Sequence, residues 1–172
     1  MAVSSVQILG TGQLIELQRK LRAAGHENIR SSMQRRIRRA AEPLRDDLQD
    51  TIRHMPITSR GRQAGKRGGP SPTTRPLRAS IANAIRISVR TAGSPGARVW
   101  VDKGLLPPDI PMGVLKQLND LGHVRHPVFG NRSRWARQDG TALWWDKTVR
   151  RHTPRMEAEV ARVLDDVRRR LE

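Results

Sequence analysis

Residues 122–145, GHVRHPVFGNRSRWARQDGTALWW, hold most of the aromatic side chains available to this chain. They include three of the four tryptophans, Trp135, Trp144 and Trp145, and the single phenylalanine, Phe129. Tyrosine is absent from the whole sequence. Because this segment connects a predicted sheet to a predicted C-terminal helix, we expect the packing of the domain to depend on it. Three interpretations are open: an active site, a plug of the hydrophobic core, or a docking surface.

Two helices are predicted in the N-terminal part of the chain. Weak alternation over residues 1–10 first predicts an edge strand or an extended arm. Thr11 can cap the first helix, and Gly25 ends it. The second helix, over residues 29–55, has apolar residues every three or four positions and a length of roughly 40 Å. Pro43 lies inside it and predicts a kink or a break into two pieces.

The middle of the chain predicts a loop followed by a hairpin. Residues 56–76 contain too many glycines and prolines for regular structure, which indicates a long flexible basic loop. A helical turn over residues 77–81 leads to a strand over residues 85–90, with arginines on the face opposite the core. Residues 98–102 supply the partner strand and turn Trp100 away from the core.

The C-terminal part completes an α+β fold. Residues 112–121 predict a short helix, and the apolar seam over residues 149–171 predicts a long one that begins near Trp145 and kinks at Pro154. The order of elements predicts one domain over residues 1–172. In it, a small antiparallel sheet packs against long N-terminal helices and a C-terminal helix.

The net charge of +17 is concentrated in the middle third of the chain. Residues 51–101 contain ten Lys/Arg residues and no Asp or Glu, whereas the segments before and after them carry +3 and +4. Such a block is typical of a protein that contacts a polyanion or an acidic partner surface. An arginine-rich codon bias explains why 28 of the 33 basic residues are Arg, but not the missing acids.

Composition also bounds the class of protein. The absence of cysteine excludes disulfides, iron–sulfur clusters and thiolate zinc sites. No apolar run approaches the roughly 18 residues of a membrane span, and the N-terminus lacks the pattern of a signal peptide. We therefore expect a soluble protein that is not conventionally secreted.

Motifs for catalysis are weak. His123 and His126 lie three residues apart with carboxylates nearby, but Pro127 and Gly130 interrupt the helix that would bring the two rings together. The stretch GKRGGPSP lacks the spacing of a phosphate loop, and no serine lies in a nucleophile elbow. We expect a protein that is not an enzyme and has no metal or cofactor.

The basic loop is the candidate contact with DNA or with a protein partner. Its charge suits non-specific phosphate binding, and folding against an acidic neighbouring protein explains the same composition equally well. The candidate residues are Arg60, Arg62, Lys66, Arg67, Arg75 and Arg78.

The aromatic segment is the candidate subunit or partner interface. Trp135 lies among arginines, a combination enriched in interface hot spots. Trp144 and Trp145 are adjacent, so on a helix one of them should be exposed or at an interface. The candidate residues are His126, Pro127, Phe129, Arg132, Arg134, Trp135, Trp144 and Trp145.

From about residue 12 to residue 171, the chain resembles one family of phage proteins. The motifs that carry the resemblance are TRPLRASI before the hairpin, IRISVR and RVWVD within it, and HPVFG, RWARQ and WWDKTV after it. Together with the order of elements, they are similar to the neck, or tail-completion, family of long-tailed bacteriophages, in the branch common among phages of high-GC Gram-positive hosts. Family members often carry a Glu-Phe-Gly-Thr-like turn and a Pro-Phe stretch. This chain has DLGH and TALW there, so the subfamily stays open.

The resemblance implies a small α+β subunit of the virion that assembles into a ring, commonly a hexamer, at the head–tail junction, with DNA in its lumen. The implied partners are neighbouring neck proteins and the tail terminator or tail tube, with assembly in the host cytoplasm and no membrane. The alternatives are a tail terminator ring that caps the tail tube and a non-specific DNA-binding protein. A metal-dependent nuclease ranks third.

Overall fold

The computed structural model describes residues 5–9, 16, 19, 27–60, 77–90, 96–108, 110–128 and 131–169. They form the predicted α+β fold, with two three-stranded antiparallel sheets. The helices with defined bounds are α1 (Glu27–His54), α2 (Leu77–Ala84), α3 (Met112–Leu121) and α4 (Trp144–Arg169). The strands are β1 (Ser5–Leu9), β2 (Thr58–Arg60), β3 (Ile85–Arg90), β4 (Gly96–Val101), β5 (His123–Val128) and β6 (Asn131–Asp139). Of the first predicted helix, Glu16 and Arg19 are described, and both are helical.

The apolar stripe of α1 forms the centre of the core. Its 28 residues span about 42 Å. The helix continues through Pro43, so a break at this position is ruled out. A proline inside a helix costs about 3 kcal/mol, whereas each large apolar side chain buried along the stripe contributes about 1.5–3 kcal/mol. The fully buried members of the stripe are Met33, Ile37, Ala41, Leu44, Leu48 and Ile52.

The first sheet has the strand order β1–β4–β3 and covers α1. Its hairpin is the predicted one, with Ile85, Val99 and Val101 buried and Trp100 in the opposite phase of β4. Residues 5–9 pair with β4, which settles the N-terminal stretch as an edge strand.

The second sheet, with the strand order β2–β6–β5, was not predicted. Residues 123–139, expected to be part of a connector, form its hairpin. Thr58–Arg60 were expected in the flexible loop, but they form β2, with Thr58 opposite Asp139. An extended polar segment beside an open strand edge satisfies its backbone N–H and C=O groups by pairing with that edge. Residues 61–76 of the predicted loop lie outside the described part of the chain.

The C-terminal helix α4 packs along α1. It begins at Trp144, continues through Pro154, and buries Val149, Met156 and Val163 of the predicted seam. The contacts between the two helices join early residues of α1 to late residues of α4, so the helices run antiparallel. No helix in the described ranges is long and apolar enough to span a membrane.

Candidate assembly and polyanion-binding surfaces

Asn119 fixes the corner at which the second sheet passes into α4. The residue is fully buried, and its side-chain oxygen accepts a hydrogen bond from the backbone N–H of Trp145 at 3.0 Å. Its amide donates to the Asp146 carboxylate at 2.9 Å, and its backbone carbonyl accepts from the N–H of Leu143 at 2.6 Å. Leu143 has φ +56°, a left-handed conformation that leucine rarely adopts. The Asn119 side chain of α3 therefore accepts a hydrogen bond from a backbone N–H in the first turn of α4, where such groups have no partner within the helix. It holds this strained corner in place.

Both tryptophans at this corner are buried, so the expectation that one of them is exposed was wrong. Trp144 and Trp145 are 2% and 1% exposed, and their rings meet edge to face with centroids 5.6 Å apart. The prediction assumed a helix packed on one side only. Instead Asn119 of α3 contacts the backbone of the first turn of α4, and Met55, the residue after α1, lines a cleft of about 300 Å³ together with Trp144. The pair belongs to the core of the single chain.

Trp135 is the exposed tryptophan of the aromatic segment, as its arginine neighbours predicted. Its side chain is 50% exposed, and its indole N–H donates to the carbonyl of Arg132 at 2.8 Å. The guanidinium carbon of Arg125 lies 5.9 Å from the centre of its ring, within the range of a cation–π contact. Arg137, opposite Arg125 in the register, donates to Asp139 at 2.8 Å. We call Arg125, Arg132, Trp135 and Arg137 the Trp135 patch.

The remaining candidate interface residues are described in part or not at all. Arg132 is exposed within the patch. His126 and Pro127 lie in β5 and Arg134 lies in β6, but their side chains are outside the described part of the structure, as is the whole of Phe129. The interface role predicted for this segment stays a prediction.

The candidate residues of the basic loop do not form one described cluster. Arg62, Lys66, Arg67 and Arg75 lie outside the described residues. Arg60 is the last residue of β2, and its backbone pairs opposite Arg137 of the Trp135 patch. Arg78 is exposed on α2, in a different part of the fold.

The outer face of the first sheet carries a row of arginines. Alternation along β3 and β4 places Arg86, Ser88, Arg90, Arg98 and Trp100 on the side opposite the core residues. The guanidinium carbon of Arg98 lies 5.5 Å from the centre of the Trp100 ring. We call these five residues the arginine face. The alternation of the sequence predicted arginines on this face. The predicted contact with DNA or a protein partner, however, was assigned to the long basic loop.

An ionic contact joins the middle of α1 to α4. Asp47 accepts hydrogen bonds from His152 Nε2 at 2.7 Å and from Arg151. Burial raises the pKa of the Asp47 carboxyl, but the hydrogen bonds and positive charges of His152 and Arg151 outweigh it and lower the pKa below its ordinary value. The contact fixes how the two long helices pack.

The described ranges contain no candidate metal-binding site. No group of three His, Asp or Glu side chains there is placed to hold a metal ion. The two candidate surfaces instead present guanidinium groups and indole rings, which suit binding of phosphates, carboxylates and flat apolar surfaces. Comparisons of the chain with protein-family models, curated proteins and solved structures each gave no match.

Proposed function

We propose that the protein is a structural subunit of a phage neck, which forms a ring at the head–tail junction around the DNA channel and joins the portal side to the tail tube. The observation that carries the proposal is the Trp135 patch. An indole that is half exposed and bordered by arginines has the composition of a protein–protein hot spot. The resemblance of the sequence to neck proteins supplies the place of assembly.

The Trp135 patch is explained better by contact with a neighbouring subunit than by a role in the monomer alone. Trp135 is the largest of the exposed apolar side chains in the described ranges, and its hydrogen bond to Arg132 together with Arg125 holds the ring in one orientation. A preorganised aromatic side chain loses little entropy when a neighbouring subunit covers it. A tail terminator ring would use such a patch in the same way.

A second candidate function, non-specific DNA binding without a ring, is favoured by the arginine face. Its described positions carry arginines and no carboxylate, which suits a phosphate backbone whether or not the protein assembles. The oligomeric state separates the two candidates.

Mass photometry of the purified protein at low and high salt tests the proposal. We expect ring-sized particles for the wild type and for Leu105→Ala, and monomers for Trp135→Ala. Leu105 is the matched control because it is also 50% exposed. Trp135→Ala should leave the domain folded, since it removes one surface cation–π contact, one exposed hydrogen bond and the packing of a half-buried ring, and a thermal melt of the variant checks this.

Particles made by a phage that carries Trp135→Ala provide the second measurement. We expect DNA-filled heads and separate tails in the lysate, whereas the Leu105→Ala phage should yield joined virions. A wild-type protein that stays monomeric, together with joined virions from the Trp135→Ala phage, would refute the ring and leave the DNA-binding candidate.

A further inference from the structure

We propose that the arginine face of the first sheet binds the sugar–phosphate backbone of duplex DNA without reading its sequence. This inference deepens the proposed function, because it names the surface of the subunit that meets the DNA. It moves the predicted DNA contact from the basic loop to a rigid sheet.

The register of the hairpin spaces the arginines evenly. Arg86 lies opposite Trp100, Arg98 lies opposite Ser88, and Arg90 lies opposite Gly96. The Cα atoms of the three arginines therefore lie at successive steps of two residues along the strands, about 7 Å each, with Arg98 one strand to the side of the other two. This spacing is similar to the distance between neighbouring phosphates on a nucleic-acid strand, so one strand of a duplex can meet all three arginines.

None of the three arginines forms an ion pair with a described residue. Some arginines of the long helices do, for example Arg36 with Asp166 and Arg151 with Asp47. Like charges on neighbouring strands repel one another, and a bound polyanion relieves that repulsion. A guanidinium without a carboxylate partner keeps its N–H donors for charge-assisted hydrogen bonds with phosphate.

The Arg98–Trp100 pair favours DNA over an acidic protein as the occupant. Trp100 is the one aromatic side chain of this face, and the guanidinium of Arg98 lies over its ring. Among the described side chains of this face Trp100 is the one apolar group, and Arg98 over its ring leaves little ring area for stacking on a base. What remains is a cationic surface, and the small side chain of Ser88 between the arginines leaves room for a phosphate backbone.

The test compares two triple variants with the same change in charge. The first, Arg86→Gln with Arg90→Gln and Arg98→Gln, removes the arginine face. The control variant, Arg38→Gln with Arg150→Gln and Arg155→Gln, removes three exposed arginines of α1 and α4. Thermal melting confirms that both variants fold, and fluorescence anisotropy measures their binding to a labelled 30-base-pair duplex between about 50 and 200 mM salt.

We expect the arginine-face variant to lose the salt dependence of three phosphate contacts. Each contact contributes about 0.9 to the slope of log affinity against log salt, so the slope should become shallower by nearly 3. Over this fourfold range of salt, the affinity of the wild type for DNA should fall about 40 times more than the affinity of the variant. The control variant should keep a slope within about 1 of the wild type.

Two results would overturn the inference. One is an equal loss in both triple variants, which would mean a general effect of net charge. The other is wild-type DNA binding by the arginine-face variant; if this variant at the same time loses binding to poly-glutamate, the face is assigned to an acidic protein.

Mass photometry of the same samples separates this inference from the proposed ring. A monomeric wild type whose DNA affinity depends on the arginine face would refute the ring and support the DNA contact. A ring whose arginine-face variant binds DNA like the wild type would refute the contact alone.

Discussion

Replacing Asn119 by alanine should destabilise the domain more than any exposed substitution on the same helix. The variant removes the acceptor of the Trp145 N–H and the donor to the Asp146 carboxylate. Both groups stay buried when the amide is gone, because Trp145 is 1% exposed and Asp146 is 8% exposed. The first turn of α4 then has neither its cap nor a partner for its carboxylate.

The size of the loss follows from these contacts. Removing one partner of a buried hydrogen bond costs about 1–3 kcal/mol, and the variant does this to two groups. We therefore expect the free energy of unfolding to fall by about 2–6 kcal/mol, a large part of the 5–15 kcal/mol typical of a domain. For a chain of this length, the melting temperature should fall by about 5–20 °C.

Urea and thermal melts of Asn119→Ala and Asp120→Ala measure the effect. Asp120 is the matched control because it accepts from the same amide at 3.1 Å but is exposed, so its loss should cost about 0.5 kcal/mol or less. Near-UV circular dichroism should report the loosened packing of the two buried indoles. A loss below about 1 kcal/mol in Asn119→Ala, or equal losses in the two variants, would refute the role of Asn119 as the cap of α4.

The other predictions concern one tight packing position and one ionic contact. Gly140→Ala should cost about 1–3 kcal/mol, because an added Cβ would lie 2.8 Å from Leu118 Cδ1, whereas Gly113→Ala meets nothing within 4 Å and should be neutral or slightly stabilising. Equal urea midpoints for the two alanine variants would contradict this packing argument. The lowered pKa of Asp47 means that its contribution to stability is present above about pH 4 and is lost as the pH falls through the pKa of the folded state. Asp47→Asn should weaken that loss, since the contact with His152 no longer titrates through Asp47, and parallel stability curves from pH 6 to pH 3 would argue against it.

Local periodicity was enough to predict the two long helices, α1 and α4. The stripe of α1 and the seam of α4 recur every three or four residues and predicted which side chains are buried. Rules about proline left a break open at Pro43, because they describe an isolated helix. At Pro43 and Pro154 the helix is also held by packing on both sides of the proline, so one missing hydrogen bond does not end it.

The second sheet was missed for a physical reason. Its central strand β6, NRSRWARQD, is dominated by polar and charged residues, so it lacks the alternation by which the first hairpin was predicted. Its edge strand β2 comes from residues 58–60 and pairs with residues some eighty positions later, which no local pattern reveals. The role of Asn119 was equally hidden, because an asparagine in a short helix gives no sign of what it caps.

Each sheet has an arginine side chain beside a tryptophan ring. The surroundings of the two pairs differ, and this difference is the reason for the different roles that we propose. In the first sheet, Arg98 lies over Trp100, which is only partly exposed and stands among arginines without acidic partners. In the second, Arg125 lies beside Trp135, which keeps half of its surface exposed next to the paired Arg137 and Asp139. A phosphate backbone binds charge that is not otherwise neutralised, whereas a protein neighbour gains most by covering exposed apolar area. On this basis we propose that the arginine face binds DNA and that the Trp135 patch contacts the adjoining subunit, the two surfaces that the proposed ring around DNA requires.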